Sequence, residues 1–490
     1  MKWLVGTFFV LVSAMVSFAG GETFWVSQAG SGNRTGLDAT NTQSSAWFNA
    51  VASWAETPGC ISPGDVVCLV GNITNQLTIG GSGRSNEWIK ILFSSGATMS
   101  VPAWIGGKNA AIYANGKEFI CVDGATSGLI ECTDNGSGGG YFNNTLPCTG
   151  VRLDDCTNFT ISRLIIKNIY QARTNEVGAH THSSGISVVG GNLVISSNVI
   201  EMAGTGIYIG MKNTENVELK YNTISRCAAG VFCGITKDGY WGRNVHVHHN
   251  RIFDTTNWGY NDGIKFFGRP ATTDEFSNVE IDHNVIGPGI STPGHPGTAW
   301  ILVDQGWFIE PWIHNNVLLG GINDNAANGY ITVGGTHQGN MLPSTPVDSR
   351  VYNNTISSQS TNTDVAIMIT KKSHGHRIYN NAVSFSSKLL PVVIADTNYA
   401  SIAYSDYNVF HSTSSVDIAP WLAKGWDGRS NTNDPEYFDP LKPAGVDGEW
   451  WTSDDGLRPR PGSPLHGNGM NGADIGAHNG PSPPNKIRVE

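Results

Sequence analysis

Apolar and polar residues alternate with a period of two through a phrase that keeps returning between about Asn192 and Asn408. Its clearest copies are Asn216 to Ile224 (NVELKYNTI), Asn244 to Ile252 (NVHVHHNRI) and Asn278 to Ile286 (NVEIDHNVI). Val217 and Leu219, Val245 and Val247, and Val279 and Ile281 mark one side of each phrase, so each predicts a strand rather than a helix. The copies end on Asn198, Asn222, Asn250, Asn284, Asn316, Asn354, Asn381 and Asn408, spaced 24, 28, 34, 32, 38, 27 and 27 residues apart. Repeats of that length predict a solenoid, in which each coil buries its apolar side only against its neighbours. Each asparagine is expected to take the left-handed bend of its turn, and stacked in register the asparagines predict a hydrogen-bonded ladder. A β-sandwich of similar strands is the competing architecture, but sandwiches do not repeat a nine-residue phrase.

A second strand precedes the phrase in each coil: Gly185 to Val188, Gly206 to Ile209, Gly230 to Cys233, Gly263 to Phe266, Trp300 to Val303, Tyr330 to Val333 and Ala366 to Ile369. Aligned on Ile186, Ile207, Val231, Ile264, Ile301, Ile331 and Ile367, these strands place Ser187, Tyr208, Phe232, Lys265, Leu302, Thr332 and Met368 in one outward column. Adjacent rungs of such a column lie about 4.8 Å apart. Inserts that lengthen the coils, 235–243, 253–262, 268–277, 287–299 and 334–348, all fall in this part of the chain. Long loops on a rigid scaffold are where binding and catalysis concentrate, so these predict the walls of a cleft.

With these repeats the chain resembles secreted right-handed parallel β-helix proteins of the pectate-lyase-like superfamily. The likeness extends to Phe24 to Gly36 (FWVSQAGSGNRTG), to Pro63 to Thr74 (PGDVVCLVGNIT), and to Ser463-Pro464 with Asp474-Ile475-Gly476-Ala477. It implies an all-β, single right-handed parallel β-helix with an N-terminal cap, and a carbohydrate-active enzyme whose polysaccharide lies across the outward column. The Asn-x-Asp, Asp-Asp, Gly-His-Gly and Arg-x-Lys series of the polygalacturonase-like hydrolases is absent as an ordered set; Asp154-Asp155 and His374-Gly375-His376 are isolated fragments of it. No catalytic residue therefore carries over from a relative position by position.

The rest of the chain frames this reading. Residues 1–20 carry one lysine, an apolar run and small residues before a plausible cut, the pattern of a secretory signal peptide. The expected organisation is signal peptide 1–20, β-helix with its N-terminal cap 21–411, and an irregular Trp- and Pro-rich segment 412–490 that caps the end of the stack. The expected protein is secreted or periplasmic, monomeric and free of the membrane once the signal is removed. A net charge of −10 provides no basic footprint, which argues against nucleic acid as a partner. The eight cysteines fall in couples, Cys60 and Cys68, Cys121 and Cys132, Cys148 and Cys156, Cys227 and Cys233. In an exported protein sequence neighbours are the expected disulfide partners; the alternative is that several are small buried stack residues.

Two chemistries suit the cleft. Glycoside hydrolysis needs two carboxylates about 5 to 9.5 Å apart, and Asp262, Asp304, Asp238 and Glu310 are the candidates. The register expected above separates Asp262 from Asp304 by five positions along the strand, about 16 Å. A polysaccharide lyase instead needs a base and a cation for the uronate, which Lys237, Lys265, Arg269, Lys371, Lys372, Tyr240, His182 and His337 could supply. Lys265, outward on a strand among aromatics, is the foremost of these. Tyr208, Lys237, Tyr240, Trp241, Trp258, Tyr260, Trp307 and His337 are the expected substrate-binding residues. The sequence favours a hydrolase, with a lyase centred on Lys265 and a non-catalytic glycan-binding protein as alternatives. A hydrolase requires no cofactor; a lyase leaves room for Ca2+, although no Asp-rich loop of the usual spacing appears. No metal site is expected: His246 and His248 alternate with Val245 and Val247 and project from another face, while His249, His283 and His314 come just before ladder asparagines and read as a structural stack.

Overall fold

A computed structural model describes residues 21–134, 148–169, 183–235, 237, 239–255, 262–268, 275–290, 299–304, 307–324, 329–334, 348–369, 374–394, 402–416 and 418–479. A typical coil contributes three strands, as in Thr205–Gly210, Thr214–Lys220 and Thr223–Ser225. Every strand pairs in parallel with its counterpart in the next coil, as in Ile207↔Val231, Val217↔Val245 and Ile224↔Ile252. The protein is a parallel β-helix, and its three strand positions per coil form three faces, here called first, second and third in chain order. The alternation that predicted strands fills its core. Ile207, Val231, Ile264, Ile301, Ile331 and Ile367 stack inward from the first face, Leu219, Val247, Ile281, Ile313 and Val351 from the second, and Ile224, Ile252, Ile286, Leu318 and Ile356 from the third, all at 0% exposure.

The asparagine ladder is present at the turn between the second and third faces. Asn222 Oδ1 accepts from both the backbone N–H (3.1 Å) and the Nδ2 (2.9 Å) of Asn198, and Asn250 Oδ1 does the same for Asn222 at 3.0 Å each. The pattern continues through Asn284, Asn316, Asn354 and Asn381 to Asn408. Leu164 N–H closes one end on Asn198 Oδ1, and Asn408 Nδ2 closes the other on Asp427 Oδ1 at 2.9 Å. The left-handed residue of each turn, however, is the one before the asparagine: Ser197, Tyr221, His249, His283, Asn315, Asn353, Asn380 and Tyr407 have φ between 50° and 58°. The asparagine amide is committed to the neighbouring rung, so the bend falls on its predecessor.

Both ends are covered. Thr23–Ser27 forms the first rung against Val66–Leu69, and the short helix Ser45–Asn49, capped by Ser44 Oγ, buries Phe48 beside it. At the other end Asp427, Ser430 and Asn431 bond the last coil at Asn408 and Phe410. The chain then turns back rather than stopping there. Tyr437, Trp450, Leu457, Leu465, Ile475 and Ala477 bury the outward residues Val285, Val317, Leu319, Ala382 and Val409 of the third face in a second small core. Ala477 N–H donates to Thr355 Oγ1 at 2.9 Å and Met470 N–H to Asn380 Oδ1 at 2.8 Å. The C-terminal segment is thus both an end cap and a strap along one side.

No disulfide links the eight cysteines, so the expected sequence-neighbour pairs are not formed. The close approach is Cys132 Sγ to Cys148 Sγ, 4.0 Å, between members of different couples. Cys233 is a stack residue, in register between Ile209 and Phe266.

Candidate functional site

The outward column of the first face holds in register from end to end. Ser187 pairs with Tyr208, Tyr208 with Phe232, Phe232 with Lys265, Lys265 with Leu302, Leu302 with Thr332, and Thr332 with Met368. All five long connections leave from the edges of this face. Three join a first-face to a second-face strand, and two (253–262 and 287–299) join a third-face to a first-face strand.

Lys265 sits at the centre of the column. Its ammonium meets Asp262 Oδ2 at 2.9 Å and lies 5.7 Å from the Phe232 ring centroid and 5.2 Å from that of Phe267. The Tyr208 ring meets Phe232 edge-on at 5.5 Å, and burial pushes its hydroxyl pKa up. Asp262 is fully buried, and its Oδ1 also accepts the Ala299 N–H at 3.3 Å. Desolvated beside aromatic faces, an ammonium gains from cation–π attraction, while its carboxylate partner offsets the cost of burying it. Phe267 was missed in the sequence; it is the sixth residue of the strand Asp262–Phe267, at the position that follows an inward Phe266.

The remaining candidates divide. Asp304 pairs with Phe267 and Gly334, five positions beyond the level of Asp262, so the two positions expected to serve hydrolysis are about 16 Å apart along the strand. That exceeds the span of a glycosidase pair, and Asp262 is committed to Lys265. Glu310 is not at the first face: it follows the second-face strand Trp307–Ile309, has a φ of 46° and lies 4.0 Å from Arg350. Lys237 is exposed, with its ammonium 5.9 Å from the Tyr240 ring, and Tyr240 packs against the core. Trp241 begins a second-face strand beneath the Arg243 guanidinium, 4.6 Å away. Trp307 opens the strand paired with Glu275 on that same face. Asp238, Trp258, Tyr260, His182, His337, Arg269, Lys371 and Lys372 lie outside the described residues, as does the signal segment.

A second polar concentration occupies the second face. His246 and His248 point outward as expected, in register with Glu218 and Lys220 on one side and Glu280 and Asp282 on the other. Asp282 Oδ1 meets His246 Nε2 at 2.5 Å and its Oδ2 meets His283 Nδ1 at 2.5 Å. Burial works to raise the Asp282 pKa, but those two imidazoles hold it well below the carboxylate range. Glu218, bonded to His248 and Lys220 against its own burial, is brought down to about 2. Burial lowers the His246 pKa, yet Asp282 outweighs it and leaves it above the ordinary value. Burial and then the neighbouring His248 and His283 push His249 down to about 4. His314 is not a turn residue: it pairs with Asp282 in the strand, and its ring stacks on Tyr352 at 4.6 Å. The strap brings Trp451 to 5.3 Å from His283. These carboxylates were overlooked in the sequence, although they alternate with inward Val and Ile in the same phrases as the histidines.

No protein-family profile matches the chain, and no curated protein matches it either. Solved structures do. DFA-IIIase from Arthrobacter chlorophenolicus A6 is 12% identical, with a TM-score of 0.46 over 74% of this chain and 89% of that one. The same enzyme without its lid is 13% identical, with a TM-score of 0.48 over 76% and 92%. Pectate lyase Pel9A is 12% identical, with a TM-score of 0.43 over 94% and 97%. The likeness is one of fold and assigns no chemistry.

Proposed function

We propose that this chain is an exported polysaccharide-degrading enzyme that takes an acidic polymer along its first face and cleaves it by β-elimination. One observation carries the reading: Lys265 stands in the middle of the outward column, flanked by the rings of Phe232 and Phe267 and held by buried Asp262. Aromatic faces suit the apolar faces of sugar rings. An ammonium fixed between them suits a uronate carboxylate, whose neutralisation makes the adjacent C–H more acidic and prepares it for elimination. Hydrolysis has less support, because the register keeps Asp262 and Asp304 apart.

The test is incubation of the mature protein with neutral, sulfated and uronic-acid polysaccharides, following reducing ends and the ultraviolet absorbance of the unsaturated product together. Both signals rising on a uronate polymer, and both lost in Lys265→Met, are expected. Reducing ends alone would point to hydrolysis and remove Lys265 from its role. Binding without either signal would leave a glycan-binding protein.

A further inference from the structure

Among the described residues, the densest set of metal-ligating side chains lies away from the first face, at the corner where the second face turns into the third. His246, His248, Glu280, Asp282 and His314 project from three successive strands, and the turns add His249 and His283. One ligand atom each from His249, Asp282 and His283 lie within 4.8 Å of one another. His249 Nδ1 meets His248 Nδ1 at 2.8 Å, while its Nε2 is buried and has no hydrogen-bond partner. Buried polar atoms are nearly always paired, so this nitrogen needs a reason.

We propose that His249, Asp282 and His283 bind a divalent first-row metal ion of the zinc class. Two imidazoles and a carboxylate form a donor set that such ions take, and three protein ligands leave a coordination position for water or another ligand. The outer contacts needed to aim those ligands are already in place. His246 holds the far oxygen of Asp282, and His248 holds the far nitrogen of His249. Repeat packing alone does not account for the set. The eight turn positions carry Ser197, Tyr221, His249, His283, Asn315, Asn353, Asn380 and Tyr407, so imidazoles occur at two adjacent rungs, and Asp282 immediately precedes the second of them. The overlapping triads Glu218–His246–His248 and His246–Glu280–Asp282 each hold one internal bond, as the chosen triad does between Asp282 and His283, but neither has an orphaned nitrogen.

The test uses the mature chain, stripped with chelator and titrated with Zn2+ by calorimetry and with Co2+ by visible absorption. One ion per chain is expected, with affinity lowered at least about tenfold in His249→Asn and in His283→Asn. Asparagine already occupies the same left-handed turn position at Asn315 and Asn353, so both variants keep the backbone. Unchanged circular dichroism and an unchanged metal-free melting midpoint would verify this. Absence of saturable uptake by the unmodified protein would overturn the assignment, as would uptake by both variants with the parent's affinity. Uptake retained in both but lost in Glu218→Gln would overturn it too, since the ion would then sit at the neighbouring triad.

Discussion

Asp262 and Lys265 allow the structural and the functional share of one ion pair to be separated. Replacing Asp262 by Asn leaves an ammonium only 9% exposed without the carboxylate that sits 2.9 Å from it. Breaking one side of a buried pair costs about 3–5 kcal/mol, because the remaining charge is uncompensated. Lys265→Met should cost a similar amount, since Asp262 is at 0% exposure and loses the ammonium that neutralises it. The double variant Asp262→Leu/Lys265→Met removes both charges and places apolar groups beneath Phe232 and Phe267. Apolar replacement of a whole buried pair is often neutral or stabilising, so the double variant should fall within about 1–2 kcal/mol of the parent. Stability is read from chemical denaturation. Depolymerisation of the best uronate polymer and binding to it are read on the same samples. The expected outcome is recovery of stability in the double variant with no recovery of binding or cleavage. A double variant as stable and as active as the parent would falsify the role of Lys265 in substrate recognition. A double variant as unstable as the singles would show that the site needs the pair's charges for its fold, and the ion-pair reasoning would fail.

Three further outcomes follow from the same physics. Asn284→Ala should strip the partner from the Asn250 N–H and from the Val247 and Asp282 carbonyls. At about 1–3 kcal/mol for each of these three unmet buried groups, the loss is about 3–9 kcal/mol, read as faster amide exchange over the coils of Asn250 and Asn316; unchanged exchange would sink the ladder's structural role. His376 is buried and its pKa is pushed down to about 3 by burial and then by His374. The unfolded imidazole binds a proton near pH 6.5 and the folded one only near 3, so stability should fall as pH drops through that window, by up to about 1.4 kcal/mol per unit. His249 and His478, both lowered to about 4, add the same sign, whereas Asp455, raised to about 6 by burial, opposes it as pH falls through 6. His376→Gln should flatten the slope of denaturation midpoint against pH, and an unaltered slope would refute the assignment. Under oxidising conditions Cys132 and Cys148, 4.0 Å apart, should form the disulfide that a non-reducing peptide map detects. Closing a loop of about 15 residues contributes about 3 kcal/mol, and a Cys121–Cys132 or Cys148–Cys156 link would contradict the geometry.

The fold and the first-face column were legible because each coil repeats one local rule. A glycine or bulky residue followed by alternating apolar positions sets which side of the strand faces in, and Ile207, Val231 and Ile264 then fix the register of Tyr208, Phe232 and Lys265 without knowledge of any loop. Contacts made against that rule were not legible. Asp262 and Lys265 are three residues apart on one strand, which alternation assigns to opposite sides. They meet because the alternation breaks between them: a Cβ on Gly263 would meet the buried Ile286 at 2.5 Å, so Gly263 and Ile264 both face the core and Asp262 falls on the side of Lys265. The left-handed turn residue was misplaced for a related reason. Ser197, Tyr221, His249 and His283 share no side-chain propensity, and their conformation follows from ladder bonds made by the next residue.

The strap shows a signal that was present and went unused. On the third face of the early coils many outward neighbours of the buried isoleucine are polar or charged, as with Glu201 after Ile200, Thr223 and Ser225 around Ile224 and Arg251 before Ile252, alongside the apolar Ile165, Val199 and Phe253. From Val285-Ile286 onward the residue before the inward position is more often apolar, as in Val317-Leu318-Leu319, Ala382-Val383 and Val409-Phe410, with Thr355 before Ile356 the exception. A strand apolar on both sides is one buried on both sides, and Tyr437, Trp450, Leu457 and Leu465 are what covers it. The change begins at the rung of Asp282 and His283, and the strap that it recruits places Trp451 against His283. The chain segment that stabilises the third face therefore also forms one wall of the histidine corner, which ties the end of the polypeptide to the proposed metal site.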